Sequence, residues 1–180
     1  MIREDELKRT CKHIIFENSL SVYEFKPSFL HLLAVPIEPL SIARRFRFLL
    51  EFIRGGYTVY YLVKDGVVVG YCVVTPGGRR LKCSSKQDGV IGPLYICQEY
   101  RGRSLSEVIV KQSLICCLHK YNSFYCWIHK DNIPSRRSLE SCGFKPIGRL
   151  NVVGVFRRLV ITSQGVDIIY KRSDNCIPIQ

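Results

Sequence analysis

The most restrictive stretch of this chain is an apolar run at residues 90–97, Val-Ile-Gly-Pro-Leu-Tyr-Ile-Cys. It passes through Gln-Glu-Tyr-Arg-Gly-Arg-Ser directly into a second apolar segment at 104–120. Eight residues rich in branched and aromatic side chains read as a strand. Leu105, Val108, Ile109, Leu114, Ile115, Cys116 and Leu118 cover much of the next segment's circumference, which predicts a helix packed on a sheet. Ser104-x-x-Glu107 predicts a capping box at its start. A basic turn of small residues is therefore expected at a helix N-terminus, where backbone N–H groups gather around phosphate.

A second phrase, Asn132-Ile-Pro-Ser-Arg-Arg-Ser-Leu-Glu-Ser-Cys-Gly-Phe144, predicts a short helix over 133–142. Asn132 is its expected N-cap, Pro134 is tolerated in its first turn, and Gly143 supplies a left-handed end. A strand candidate at 123–129 separates the two phrases. Upstream, 19–25 alternates weakly as a first strand, and 57–63 and 67–74 form a hairpin through Lys64-Asp65-Gly66. Residues 40–54 read as an amphipathic helix, entered at Pro39 and Ser41 and stopped at Gly55-Gly56. Ile42, Ala43, Phe46, Leu49, Leu50 and Ile53 lie on one side; Arg44, Arg45, Arg47, Glu51 and Arg54 lie on the other. A polar loop at 75–88 and closing strands at 152–161 and 166–170 complete a mixed α/β pattern.

One domain, 1–180, is expected at this length, and 47% hydrophobic with 23% charged residues excludes disorder. The start, Met-Ile-Arg-Glu-Asp-Glu-Leu-Lys-Arg, lacks the order of an export signal, and uncharged runs fall short of the roughly 18 apolar residues that span a bilayer. Nine cysteines, an odd number, then suggest reduced thiols and a cytoplasmic protein. No Cys-x-x-Cys occurs, and Cys126 and His129, three apart on a strand, face opposite ways, so no metal is assigned. The net charge of +12 favours anions: a phosphorylated cofactor, a nucleic acid or a membrane surface. No RNA-recognition phrase, zinc pattern or helix-turn-helix supports nucleic acid, and the basic face of 40–54 keeps peripheral membrane contact as a minor alternative.

In order, separation and intervening strand, the two phrases resemble the cofactor cradle of the GNAT N-acetyltransferases, in the branch whose second motif runs Asn-x-x-Ser to Gly-Phe. The motif core covers about 90–145, and the topological likeness 19–170. The resemblance implies a mixed, mostly antiparallel sheet flanked by helices, with a splayed central strand pair. It also implies acetyl-CoA, or another acyl-CoA, as co-substrate. Carried over by position, Arg101, Gly102, Arg103, Ser104, Leu105 and Ser106 would receive the diphosphate. Leu94, Tyr95, Ile96 and Cys97 would meet the pantetheine arm and thioester through main-chain atoms, and Asn132 and Ser135 would face that arm.

The chain departs from the family in two places. The usual Arg-Gly-x-Gly-x-Gly/Ala has serine at 104 and 106, which would weaken binding if either position needs positive φ. Leu139 stands where many members carry a tyrosine acid. His129 at a strand end is then the group expected to titrate near neutral pH, with Tyr95 an alternative and Tyr125 and Cys142 weaker ones. The expected reaction is direct attack of a primary amine (a small amine, an amino sugar or a peptide N-terminus) on the thioester. An anionic acceptor suits the charge, and 26–56, 75–88 and the C-terminal strands would select it. The alternative is a catalytically weak or inactive module of this fold that binds a CoA-type ligand.

Overall fold

The computed structural model describes residues 3–17, 19–31, 42–53, 55–79, 81–153 and 158–173. Among them, helices are α1 (Glu4–Lys8), α2 (Ile42–Ile53), α3 (Leu105–Cys117) and α4 (Ile133–Ser141). Strands are β1 (Lys12–Glu17), β2 (Leu20–Phe25), β3 (Thr58–Lys64), β4 (Val67–Pro76), β5 (Gly89–Ile96), β6 (Ser123–His129), β7 (Lys145–Val153), β8 (Arg158–Thr162) and β9 (Asp167–Ser173). They hydrogen-bond in the order β1-β2-β3-β4-β5-β6-β9-β7-β8, and the described registers are antiparallel except for β5 beside β6. This is the mixed, mostly antiparallel sheet with helices that the sequence led us to expect. None of the described helices is long and apolar enough to cross a membrane.

Two compact units divide the chain, and β5 and α3 each contribute to both. The first comprises 1–75 and 93–113. Its β3–β4 hairpin turns at Asp65 (φ 51) and Gly66 (φ 75), the paired left-handed conformation an Asp-Gly turn supplies. Tyr23, Phe25, Tyr57, Val59, Tyr61, Val63, Val68 and Val73 fill its core, with Leu7 from α1 and Phe48 and Phe52 from α2. Burial of each such side chain is worth roughly 1.5–3 kcal/mol.

Helix α2 corrects the expected orientation: Phe48 and Phe52 turn inward, whereas Phe46 and Ile53 are 60% and 71% exposed. Apolar residues take up more than half of this helix's circumference, so spacing alone leaves open which part of that arc turns inward. The aromatic pair decides it by meeting Tyr57 and Phe29, with ring centroids 5.0 Å and 5.6 Å apart. The expected entry at Pro39 and Ser41, Arg54, and the side chains of Arg44, Arg45 and Arg47 lie outside the described residues. Helix α1 and strand β1 were not foreseen. Five residues cannot sustain a helix alone, and α1 is held by burial of Leu7 and by the Glu4 N–H donating to Gly66 O at 3.0 Å.

The second unit comprises 76–92 and 114–180. Strand β6 pairs with β9 from Ser123↔Ser173 to His129↔Asp167, and Leu81, Val90, Tyr125, Leu150, Leu159 and Ile169 form the core with Trp127 against them. The single strand expected at 152–161 instead takes in the end of β7 and most of β8, which pair antiparallel from Arg149↔Thr162 to Val153↔Arg158. Strand β7 was hidden by Pro146 and Gly148, where its register with β9 shifts. On the far side of β8, Leu81 bridges Leu159 in parallel, and the Lys82 N–H donates to Leu159 O at 3.0 Å. Buried Cys72, Cys97, Cys117, Cys126 and Cys142 form no disulfide and serve as small core residues.

Candidate active site

Strand β5 pairs with β6 through Gly89↔Phe124 and Val90↔Tyr125. Gly92 then adopts φ 125, which interrupts the regular extended repeat at this point. The rest of β5 stays with β4: the Cys97 N–H donates to Val69 O at 2.8 Å, and Tyr71 and Tyr95 stack with centroids 5.8 Å apart. Peptide groups alternate sides along a strand. With the Cys97 amide turned to β4, those of Leu94 and Ile96 turn to the opposite edge. Ile96 and Cys97 side chains are buried, and Leu94 and Tyr95 are half-buried.

Beyond Cys97 a 3-10 turn, Gln98–Tyr100, is closed by the Tyr100 N–H on Cys97 O (3.0 Å) and the Arg101 N–H on Gln98 O (3.2 Å). Arg101 is extended, Gly102 is left-handed at φ 73, and Ser104 is left-handed at φ 55. Helix α3 begins at the next residue, and a helix N-terminus attracts an anion. Left-handed Ser104 departs from the extended backbone of a usual N-cap, and its carbonyl accepts the N–H of Glu107 (3.0 Å) and of Val108 (3.2 Å), as an N-cap carbonyl does. Arg101, Gly102, Arg103 and Ser104 are exposed, Ser106 is half-buried, and Leu105 anchors the turn in the core.

The two arginines do not project alike. Arg101 folds back, Nε donating to Ile96 O at 3.0 Å with its guanidinium 5.9 Å from the Tyr95 ring centre. Arg103 lies 5.7 Å from the Tyr100 ring centre.

His129, Asn132 and Ser135 belong to the second unit, whereas residues 94–106 belong to the first. Exposed His129 ends β6, and its Nδ1 accepts the Asp131 N–H at 3.4 Å and lies 3.6 Å from Asp131 Oδ2. With Nδ1 accepting, a neutral His129 carries its proton on Nε2 and presents a donor there. Asn132 Oδ1 accepts the Ser135 N–H at 3.3 Å, so the two residues form the cap of α4. Gly143 ends that helix at φ 83, with the Phe144 N–H on Leu139 O at 3.1 Å. Leu139 is 1% exposed and is core. Tyr125 donates to Cys83 O at 3.3 Å, and Cys142 is buried.

Sequence reasoning missed Tyr71, Gly70 and Tyr170. The first two matter through cross-strand contact with Tyr95 and Ile96. Tyr170 accepts from Arg136 Nε and donates to Glu140 Oε1, both at 3.0 Å, fastening α4 to β9. Nothing local marks these residues, because strand register creates each contact.

The model of the acetyltransferase (GNAT) family matches residues 23–144. No curated protein matches the chain. Among solved structures, a ribosomal L7/L12 alpha-N-protein acetyltransferase, RimL, is 13% identical at TM-score 0.60, covering 91% of this chain and 94% of its own. A GNAT family acetyltransferase from Elizabethkingia anophelis with acetyl-CoA bound is 10% identical at TM-score 0.58, covering 87% and 99%. A ribosomal-protein-alanine N-acetyltransferase from Brucella melitensis is 20% identical at TM-score 0.56, covering 74% and 79%. At these identities the likeness is one of fold.

Proposed function

The chain belongs to the acetyltransferase (GNAT) family, whose members use acetyl-CoA, and we propose that it transfers the acetyl group to a primary amine on a peptide N-terminus or a small amine. The observation that carries this reading is the passage from β5 into α3. Peptide groups of Leu94 and Ile96, turned away from β4, lead within ten residues into a left-handed basic turn at a helix start. That arrangement suits a ligand with amides at one end and a diphosphate at the other.

Acetyl-CoA supplies the activated thioester carbonyl. The Leu94 and Ile96 N–H groups pair with the arm and polarise that carbonyl, an oxyanion-type role for fixed backbone donors. Arg101 to Ser106 receive the diphosphate through amides, with Arg103 adding charge. Asn132 and Ser135, which the resemblance assigned to the arm, form the N-cap of α4. The attacking amine must shed a proton. His129, with Nδ1 engaged by the Asp131 N–H, suits donation from Nε2, and half-buried Tyr95 is the other candidate. Two of the similar structures act on ribosomal proteins, which favours a protein-borne amine, and the net charge of +12 favours an acidic surface around it. The reaction belongs to the cytoplasm, where these thiols stay reduced.

A second reading, a module that binds a CoA-type ligand without turnover, is favoured by left-handed Ser104 and by Leu139 in the core. Thermal shift and intact mass with acetyl-CoA, followed by release of CoA thiol with a panel of amines and acidic peptides, separate the two. Binding with thiol release supports the enzyme, and binding without release supports the module. No binding of any acyl-CoA defeats both.

A further inference from the structure

The described register of strand β5 with β6 covers Gly89 and Val90, and the last residues of β5 are held from the β4 side by Cys97 N–H on Val69 O and by the close approach of Ile96 to Gly70. The end of a strand is where local opening begins.

Arg101 opposes that tendency. Its Nε–H meets Ile96 O at 3.0 Å, on the edge turned away from β4, and its guanidinium covers Tyr95, which stacks on Tyr71 of β4. The 3-10 turn between them fixes the Arg101 backbone, so the side chain reaches back five residues to its own strand. An arginine held this way is oriented by a directed, planar donor, which a lysine lacks. Ile96 O keeps a second lone pair, so the contact is compatible with a ligand amide at the same carbonyl.

We propose that Arg101 is a positioning residue for acetyl transfer: it clamps the Ile96 peptide and thereby sets the Leu94 and Ile96 N–H groups for the thioester arm, instead of acting chiefly as countercharge to the diphosphate. This rests on the reading that β5 receives the arm.

Arg101→Lys preserves charge and removes the Nε donor, and S-acetylpantetheine offers the arm without the diphosphate. R101K is expected to lower kcat/KM roughly tenfold with both acetyl-CoA and S-acetylpantetheine, a loss typical of one hydrogen bond to a charged group. It is also expected to speed amide hydrogen exchange at Cys97 in the unliganded protein. R101Q, neutral and shorter, should show the same loss on S-acetylpantetheine. A defect confined to acetyl-CoA would overturn the proposal in favour of a countercharge role, as would unchanged exchange at Cys97. The exchange measurement needs neither ligand nor turnover. Failure of the unaltered protein to bind or use acetyl-CoA would therefore defeat the functional reading while leaving the clamp decided by exchange.

Discussion

Gly70 of β4 meets Ile96 of β5 so closely that a Cβ on Gly70 would lie 2.5 Å from Ile96 Cδ1, with Tyr95 O at 2.6 Å. The isoleucine tip could rotate aside, but the carbonyl oxygen is main chain and moves only if the strand moves. Gly70→Ala should therefore cost about 1–3 kcal/mol of stability, the usual range for overpacking. It should also weaken acetyl-CoA binding, because the displaced strand is the one proposed to receive the arm. Denaturant unfolding and ligand titration check both; an alanine variant as stable as the parent would mean the strands part without cost.

Ser104 occupies a left-handed backbone that the family pattern reserves for glycine. A non-glycine residue there costs on the order of 1 kcal/mol, partly offset in a glycine variant by the greater entropy of its unfolded chain. Ser104→Gly is expected to raise stability by up to about 1 kcal/mol and tighten acetyl-CoA binding. Ser104→Val, branched at Cβ, should do the reverse. Unfolding midpoints and isothermal titration of the pair test this, and equal affinity of both variants would contradict it.

Tyr170 links Arg136 and Glu140 through one hydroxyl, and Arg136 also donates to Lys130 O at 3.1 Å. Tyr170→Phe should lower the melting temperature, and adding Arg136→Ala should lower it by less than that change does alone, because both remove the same bond. Strictly additive effects in the double-mutant cycle would show that the hydroxyl does not couple α4 to β9.

Burial pushes the Cys126 thiol up from 9.0 to about 12, its hydrogen bond to the Trp127 carbonyl notwithstanding. Burial likewise raises Tyr121 from 10.0 to about 12. An unfolded chain sheds these protons earlier than the folded one, so their contribution is intact below pH about 9 and is lost as pH climbs toward 12. Unfolding free energy should be flat between pH about 7 and 9 and fall above it, and Cys126→Ala should flatten the fall. A slope unaltered by that substitution would remove Cys126 as its source.

Much of this architecture was legible because local chemistry and tertiary demand agree. Asp65-Gly66 can only turn a hairpin, Asn132 and Gly143 bracket α4, and the passage from 90–97 into 104–120 contains both a strand and a helix start. Legibility failed where contacts are made at a distance. Helix α1 depends on Leu7 and Gly66, α2 is oriented by Tyr57 and Phe29, and β7 is disguised by Pro146 and Gly148. At the candidate site the turn could be read from residue types. That Arg101 folds onto Ile96 O, and that Ser104 sits at positive φ, could not, since both depend on how the 3-10 turn closes.

The bridge from Leu81 and Lys82 to Leu159 has a colloidal consequence. A last strand with a bare flank invites copies of the same chain to dock end on and grow without limit. Here one of that flank's acceptors is already taken within the molecule, so an incoming copy must first displace Lys82. Exposed Arg158 on the same strand sets like charge against like as it approaches.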